Sequence, residues 1–209
     1  MPESRRNLPH FRFERTFAGI VAGLDEVGRG PLAGPVVAAA VIFPAKPPKG
    51  LMRDIDDSKK LTAEAREFLD VEIRGCATVS VAEASVTEID SINILQASLL
   101  AMRRAVAGLA TRPDMVLVDG REDPALPMSC RPVIGGDAIH LSIAGASIVA
   151  KVYRDRLMVR LGEAHPEYGW ESNAGYATEF HRNALKRFGP TIHHRTSFAP
   201  VREVLPTSN

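Results

Sequence analysis

Residues 17–43 read FAGIVAGLDEVGRGPLAGPVVAAAVIF, and their pattern predicts the beginning of a β-sheet. Two apolar runs, Phe17 to Leu24 and Pro35 to Phe43, are rich in β-branched residues and alanine and predict two successive strands. The glycines and proline between them predict a tight connection. A dinucleotide-binding loop does not fit here, because its Gly-x-Gly motif must open a helix and Gly34 is followed by a second β-type run.

The remaining sequence alternates between helical and strand patterns. Short apolar or alternating runs predict strands at 78–81, 115–118 and 133–134. Capping residues and three- and four-residue apolar spacings predict helices from Thr62 to Gly75, Thr87 to Gly108, Ser142 to about Gly162, and Thr178 to Phe188. This order is typical of a mixed α/β fold, in which helices cover an apolar sheet.

The domain organisation follows from the same pattern. Residues 1–16 are predicted to be a flexible N-terminal segment, and residues 17–209 to form a single domain. Within that domain, residues from about 160 to 209 are expected to form a helical appendage. This prediction rests on the absence of any linker-like composition between the predicted elements.

Composition excludes several classes of protein. The 209 residues are 45% hydrophobic and 24% charged, which is typical of a globular domain and not of a disordered, collagen-like or disulfide-stapled chain. The longest apolar run, Leu32 to Phe43, is much shorter than the roughly 20 residues that cross a bilayer. The polar N-terminus has no secretory h-region, and Cys76 and Cys130 form no C-x-x-C motif, so we expect a cytoplasmic protein without a membrane partner.

The charge is unevenly distributed along the chain, although the formal net charge is only +1. Residues 1–150 hold 17 basic and 19 acidic side chains, and residues 151–209 hold 9 and 6. Residues 181–202 contain five basic residues and no acid. Such a segment fits either a solvated surface or contact with a polyanion, and charge alone does not decide between them.

Acidic residues beside glycine follow three of the predicted strands. They are Asp25 with Glu26, Asp119, and Asp137. If these strand ends converge, the carboxylates form an oxygen-only pocket of the kind that suits Mg²⁺ or Mn²⁺ and not zinc. The alternative for any single Asp-Gly pair is a turn. Since side chains alternate along a strand, Asp25 and Glu26 can share a site only at a bulge or a strand end.

The order of motifs along the chain resembles that of the bacterial ribonuclease HII family. The motifs are 22–34 (AGLDEVGRGPLAG), 57–61 (DSKKL), 93–95 (NIL), 117–120 (LVDG), 136–137 (GD), 146–152 (ASIVAKV) and 194–198 (HRTSF). They occur in series from about residue 20 to 200. One such motif is a weak signal, whereas seven in order are specific.

This resemblance implies a ribonuclease H-like fold and an endonuclease that cuts the RNA strand of RNA–DNA hybrids, including a single ribonucleotide within duplex DNA. It also implies two Mn²⁺ or Mg²⁺ ions held by the four acids identified above, a role in ribonucleotide and RNA-primer removal, and a monomeric enzyme. Residues 28–30 match the loop that senses the 2′-hydroxyl, and Tyr176 matches a tyrosine that stacks on the sugar. The substrate-binding residues expected on this basis are Gly28, Arg29, Gly30, Lys59, Lys60 and Tyr176.

Two positions depart from the family pattern. Gly135 and Ala174 stand where lysine is common in the family, and the loss of two cations is expected to weaken phosphate contacts. Neither departure touches the four acids. Two alternatives remain open at this point, namely another metal-dependent phosphohydrolase and a hybrid-binding protein without catalysis. A nucleophilic triad built on His193 or His194 is not supported, because no serine or cysteine partner is evident.

Overall fold

A five-stranded mixed sheet forms the centre of the computed structural model, which describes residues 8–56 and 58–206. The strands are β1 (Val21–Val27), β2 (Val36–Ile42), β3 (Thr78–Ala84), β4 (Met115–Asp119) and β5 (Ser129–Val133). The helices are α1 (Arg12–Thr16), α2 (Leu51–Asp54), α3 (Ala63–Cys76), α4 (Val86–Ala107), α5 (Leu141–Ala164), α6 (Trp170–Asn173), α7 (Glu179–Phe188) and α8 (Ala199–Arg202). Short 3₁₀ turns span Gly136–Ala138 and Pro166–Tyr168.

The sheet has the strand order β3-β2-β1-β4-β5, with β1 at its centre. Strand β1 runs antiparallel to β2 and parallel to β4, and β4 runs parallel to β5. Leu24 pairs with Val118, so the carboxyl ends of β1 and β4 lie at the same edge of the sheet. This topology brings Asp25 next to Asp119, which the sequence alone had left open.

Helices cover both faces of the sheet, which confirms the predicted α/β class. Alternation along β2 sends alternate side chains to opposite faces. One face packs on α4 through Val36, Ala38 and Ala40, and the other packs on α3 and α5 through Val37, Ala39 and Val41. The sheet is therefore the middle of three layers, and β2 is apolar on both faces for that reason.

Gly23 allows α5 to pack directly on β1. A Cβ at this position would lie 2.0 Å from the carbonyl carbon of Ser142 and 2.3 Å from the Ile143 nitrogen, both main-chain atoms at the start of the helix. Only glycine permits so close an approach. Its absence of a side chain places the first turns of α5 under the end of β1 that carries Asp25.

The helix boundaries differ from their prediction at three points. Gly75 lies inside α3 and does not follow its end, although Thr62 caps that helix as expected. Ser142 lies inside α5 and is not its N-cap. Helix α4 is interrupted at Asn93, whose φ is 65° and whose Oδ1 accepts hydrogen bonds from the Leu95 and Gln96 nitrogens. Asparagine tolerates a positive φ and caps helices, which explains the break.

The N-terminal segment that was expected to be flexible contains helix α1. Its buried Glu14 accepts hydrogen bonds at Oε1 from the Ser142 nitrogen, at 3.1 Å, and from the Ser142 hydroxyl, at 2.7 Å. Glu14 thus performs the capping role that the sequence had suggested for Ser142 itself. Residues 1–7 of the same segment, and Asp57 of the DSKKL motif, lie outside the described residues.

The C-terminal helices form a third hydrophobic cluster against one end of α5. Its buried members include Leu32, Met158, Trp170, Leu185 and Val201. Trp170 is fully buried, in agreement with a core role for the only tryptophan. Across residues 8–56 and 58–206, no helix combines the length and the apolar character needed to cross a membrane.

Candidate active site

Three of the four candidate acids lie close together at the carboxyl ends of β1 and β4. Asp25 and Glu26 immediately precede Val27, the last residue of β1, and Asp119 is the last residue of β4. Asp25 pairs with Ala39 and Glu26 with Ala38, so the two carboxylates point to opposite faces of the sheet. Asp119 lies near enough to both to repel each of them electrostatically.

Asp25 faces α5 and is buried, with 6% of its surface exposed. Its Oδ1 accepts a 2.7 Å hydrogen bond from the Glu26 nitrogen, and the nearby Ser147 side chain favours its ionised form. Burial raises the pKa of Asp25 well above its ordinary value, and the charges of Glu26 and Asp119 raise it further. Ser147 lies 2.9 Å from Ser58, which connects this carboxylate to the segment carrying Lys59.

Glu26 faces α4, and its charge is only partly neutralised by Arg29. Arg29 Nη1 lies 3.4 Å from Glu26 Oε1. Oε2 is buried and accepts no hydrogen bond from the residues that the structure describes. Burial raises the pKa of Glu26, Arg29 opposes that rise, and Asp119 adds to it. Glu26, Arg29 and Asp119 also line one cavity of about 30 Å³, which is large enough for about one small ligand atom or water.

Asp137 joins this edge through the loop after β5. The Gly136 nitrogen donates a 2.7 Å hydrogen bond to Asp119 Oδ1, which fixes the residue before Asp137 against the end of β4. The Asp137 residue is 6% exposed, and its Oδ2 lies 3.8 Å from Lys59 Nζ. The fourth acid is therefore held beside the third by the main chain, and Lys59 faces it.

The four acids suit a hard divalent cation by the chemistry of their oxygen donors. No group of three His, Cys, Asp or Glu side chains among the described residues is arranged closely enough to hold a metal ion as it stands. However, Glu26 Oε2 is buried without a donor, and Asp25 is buried beside two other carboxylates. A bound cation would interact with the unsatisfied oxygen of Glu26 and reduce the repulsion between Asp25 and its neighbouring carboxylates. Carboxylate oxygens are also the ligands that Mg²⁺ and Mn²⁺ prefer. The residues present thus fit such an ion.

The glycine-rich loop after β1 lies against the segment that carries Tyr176. A Cβ on Gly30 would lie 3.5 Å from Tyr176 Cε1, and the Leu32 nitrogen donates a 2.8 Å hydrogen bond to the Gly175 carbonyl. Gly28 has a φ of 92°, and a Cβ there would lie 2.2 Å from Arg154 Nε. The structure therefore brings together the loop and the tyrosine that the sequence had singled out separately.

The two candidate lysines differ in what they face. Lys59 reaches toward Asp137, as described above, and is largely exposed. Lys60 Nζ lies 3.3 Å from Asp56 Oδ1 on its own loop. Lys59 thus lies at the acidic edge, whereas Lys60 is engaged by a residue outside it. A groove of about 640 Å³ between α3, α5 and α6 contains none of the four acids.

Comparison with known proteins identifies the family. The family model described as Ribonuclease HII matches residues 22–201. Ribonuclease HII of Granulibacter bethesdensis is 58% identical over 204 residues, which cover 96% of this chain and 93% of that protein. The chain belongs to the ribonuclease HII family. It is therefore an enzyme of the ribonuclease H class, a nuclease that acts on RNA–DNA hybrids.

Solved structures confirm the fold of this ribonuclease HII chain. Ribonuclease H2 from Pyrococcus horikoshii OT3 is 27% identical, has a TM-score of 0.75, and the match covers 88% of this chain and 96% of that one. A structure of Bst-RNase HIII in complex with Mn²⁺ also has a TM-score of 0.75, at 20% identity, with coverage of 88% and 68%. The second similarity concerns the fold alone. The family match excludes the alternative of another metal-dependent phosphohydrolase.

Several residues that shape this ribonuclease HII site were not singled out from the sequence. Arg154 and Arg195 are buried and donate only to main-chain carbonyls, three for Arg154 and three for Arg195. Asp90 accepts four hydrogen bonds, two each from Thr196 and Ser197. Although partial burial opposes it, these bonds hold the pKa of Asp90 below its ordinary value. The 194–198 motif was the one available signal for this group.

Both departures from the family pattern occur where the main chain is left-handed. Gly135 has a φ of 64° and Ala174 a φ of 48°. Glycine adopts such a conformation freely at 135, where a lysine would be strained by roughly 1 kcal/mol. Alanine at 174 carries the same strain that a lysine would, so the main-chain conformation does not explain that substitution. The Ala174 carbonyl accepts a hydrogen bond from Arg154, so this position contributes to the site through its main chain.

Proposed function

We propose that this protein is an endoribonuclease that cuts on the 5′ side of single ribonucleotides embedded in duplex DNA, as well as within longer RNA–DNA hybrids. The products would carry a 5′-phosphate on the ribonucleotide and a 3′-hydroxyl on the upstream strand. Removal of misincorporated ribonucleotides and of RNA primers during replication and repair is the corresponding role. A monomeric state and a cytoplasmic location stay predictions.

One observation carries the proposal, namely the gathering of Asp25, Glu26 and Asp119 at two adjacent strand ends with an unsatisfied buried oxygen on Glu26. Asp137 completes the set through the Gly136 contact. We assign these four acids as the ligands of two divalent cations, Mn²⁺ or Mg²⁺. The manganese complex of Bst-RNase HIII, a protein of the same fold, is consistent with this choice.

Bound at this edge, the cations would supply an activated water as nucleophile and stabilise the charge on the leaving 3′-oxygen. The protein's own contribution is to hold the carboxylates in place, because burial and mutual repulsion by themselves disfavour the ionised forms of Asp25 and Glu26. The Glu26 nitrogen donates to Asp25 and the Gly136 nitrogen donates to Asp119, which orients these two carboxylates before substrate arrives.

Recognition of the substrate is assigned to the loop and the tyrosine beside these acids. The main chain of Gly28, Arg29 and Gly30 is expected to meet the 2′-hydroxyl, the one group that distinguishes RNA from DNA at a given position. Tyr176 is 47% exposed and lies against Gly30, where it can stack on the sugar next to the cut. Lys59 is expected to contact a phosphate. Lys60 is expected to contribute less to phosphate binding, because it forms an ion pair with Asp56.

The proposal is tested with an end-labelled DNA duplex that contains one ribonucleotide, run beside the same duplex made only of DNA, in Mg²⁺, Mn²⁺ or EDTA. We expect one metal-dependent cut on the 5′ side of the ribonucleotide and none in the all-DNA duplex. Asp119→Asn and Asp137→Asn should each abolish that cut while thermal unfolding remains cooperative. Glu163→Gln, an exposed carboxylate of α5, is the matched control and should cleave normally.

Two results would contradict the proposal. Near-normal cleavage by both asparagine variants at saturating metal would remove Asp119 and Asp137 from the chemistry. Binding of the ribonucleotide duplex without a cut in any metal, by folded protein, would instead support the alternative of a hybrid-binding protein that has lost catalysis.

A further inference from the structure

Two buried guanidinium groups lie directly behind the glycine-rich loop. Arg154 on α5 is 1% exposed and Arg195 is fully buried. Neither forms an ion pair with a carboxylate within 4.0 Å among the described residues, and both donate to main-chain carbonyls instead. Burying a charge that no carboxylate contacts directly is costly, although Asp90 and Asp155 act on Arg195 and Arg154 from farther away.

Arg195 closes the loop onto itself. Its Nη2 donates to the Gly28 carbonyl at 2.6 Å and to the Gly34 carbonyl at 2.8 Å, and its Nη1 donates to the Arg29 carbonyl at 3.0 Å. The two ends of the loop are therefore joined by one planar group. Lysine could not replace it, because an ammonium group lacks the flat fork that reaches several diverging carbonyls at once.

Arg154 joins the same loop to the tyrosine segment. Its Nη2 donates to the Ala33 carbonyl at 3.0 Å, its Nε to the Pro35 carbonyl at 3.1 Å, and its Nη1 to the Ala174 carbonyl at 2.9 Å. Ala174 lies two residues before Tyr176. One guanidinium thus fixes the distance between the two elements assigned to substrate recognition.

The direction of the carbonyls determines the direction of the amide groups. In a trans peptide, the carbonyl of one residue and the N–H of the next point in opposite directions. Because the Gly28 and Arg29 carbonyls point inward at Arg195, the N–H groups of Arg29 and Gly30 point outward. Both residues are exposed, and among the described residues no acceptor takes either N–H.

We propose that Arg195 and Arg154 are positioning residues for ribonucleotide selectivity: they turn the Arg29 and Gly30 amide donors toward the substrate and hold Tyr176 beside them. This inference rests on the proposed function, since it takes the loop and the tyrosine as the recognition elements. Burial lowers the pKa of Arg195 to about 9 and that of Arg154 to about 10, so both groups remain charged at neutral pH.

The test measures selectivity in binding, without catalysis. Fluorescence anisotropy in EDTA gives the affinity of the protein for a labelled duplex with one ribonucleotide and for the matched all-DNA duplex. We expect wild-type protein to bind the first duplex more tightly. Arg195→Lys should reduce that preference at least tenfold, or to none, while the affinity for all-DNA duplex changes less than twofold. Arg187→Lys, an exposed arginine on α7, is the matched control and should keep the full preference.

A second variant covers the case in which Arg195→Lys does not fold. Asp90→Asn leaves Arg195 intact but weakens the four hydrogen bonds that anchor Thr196 and Ser197 next to it. It should lower the preference partially, with the same all-DNA affinity. Hydrogen exchange of the Arg29 and Gly30 amides in wild-type protein provides a measurement that a purely structural role would not affect. The ribonucleotide duplex should slow this exchange, and the all-DNA duplex should not.

The outcomes separate this inference from the proposed function. An unchanged preference in folded Arg195→Lys, or an equal loss of affinity for both duplexes, would overturn the positioning role while leaving the proposed function intact. Wild-type protein without any preference would instead remove the loop as the ribonucleotide sensor, and this inference with it.

Discussion

His194 Nε2 lies 3.0 Å from His181 Nε2 in the buried core of the C-terminal helices. The Thr191 nitrogen donates to His194 Nδ1 at 2.9 Å, so in the neutral ring the proton of His194 is on Nε2 and is donated to His181. His181 must then carry its own proton on Nδ1, which donates to the Tyr176 carbonyl at 2.9 Å. The Trp170 indole also donates to His181 Nε2, which agrees with this assignment. The network therefore admits one tautomer of each ring and ends on the residue assigned to sugar stacking.

Acid should destabilise the protein through this pair. Burial and the charges of neighbouring histidines lower the pKa of His194 to about 3, and burial lowers the pKa of His181. A histidine whose folded pKa lies below its unfolded value near 6.5 stabilises the fold fully above pH 6.5, and this contribution is lost as the pH falls toward the folded pKa. We expect the free energy of unfolding to fall by about 1.4 kcal/mol per pH unit below pH 6 for His194 alone.

Urea unfolding at pH 7.5, 6.0 and 5.0 measures this loss. His194→Gln retains a donor toward His181 but cannot titrate, so its stability should depend less steeply on pH over the same range. Equal pH dependence in the variant and in wild-type protein would show that the pair does not stay neutral in the fold.

Asp25→Asn should stabilise the metal-free enzyme while removing its activity. Burial and the charges of Glu26 and Asp119 disfavour the ionised carboxylate, and asparagine relieves that cost at nearly the same size. In EDTA at pH 8 the midpoint of thermal unfolding should rise by about 2–4 °C for each kcal/mol gained. Added Mn²⁺ should raise the midpoint of wild-type protein and have little effect on the variant. A lower midpoint for the variant in EDTA would argue against repulsion among these acids.

Gly28→Ala should cost far more stability than Gly30→Ala. An alanine at 28 would be strained at a φ of 92°, and its Cβ would lie 2.2 Å from Arg154 Nε. At position 30 the new Cβ would meet only Tyr176 Cε1, at an ordinary 3.5 Å. We expect a loss of about 2–3 kcal/mol for the first variant and below about 1 kcal/mol for the second, measured by urea unfolding. Similar losses of stability for both variants would show that the loop can shift away from Arg154 to accommodate the new Cβ.

Lys59 should contribute one phosphate contact to duplex binding. The slope of log Kd against log salt changes by about 0.9 for each phosphate contact in duplex DNA. Lys59→Ala should therefore lower the magnitude of that slope by about 0.9, whereas Lys46→Ala, an exposed lysine on another loop, should leave it unchanged. Identical slopes for the two variants and wild-type protein would place Lys59 outside the nucleic-acid interface.

The parts of the fold that depend on neighbouring residues could be predicted from the sequence. Thr62 and Thr178 cap helices as their local patterns indicate, and Asp119 ends a strand at the position where its apolar run stops. The sequence does not show which strands are neighbours. The convergence of the first three acids therefore follows only from the observed parallel pairing of β1 with β4.

The parts that depend on distant partners could not be predicted. Ser142 has the composition of an N-cap, but Glu14 supplies the acceptor from 128 residues away. Arg154 lies on a helix, where a charged residue normally indicates the face exposed to solvent. It donates instead to main-chain carbonyl groups of loops, and no sequence periodicity predicts those contacts. Every residue has a main-chain carbonyl group, so residue type does not show which carbonyls accept a hydrogen bond. Buried arginines that bind only carbonyls therefore cannot be predicted from sequence patterns.

Arg195 lies 167 residues after Gly28, whose carbonyl it holds. Protein synthesis proceeds from the N-terminus at about 5–20 residues per second, so the glycine-rich loop leaves the ribosome well before its clamp exists. The sheet and α4 can assemble in that interval, since all of their residues precede 134. Ribonucleotide selectivity would then be the last property that a nascent chain acquires, and a chain shortened before Arg195 would retain the four acids without the means to orient the loop beside them.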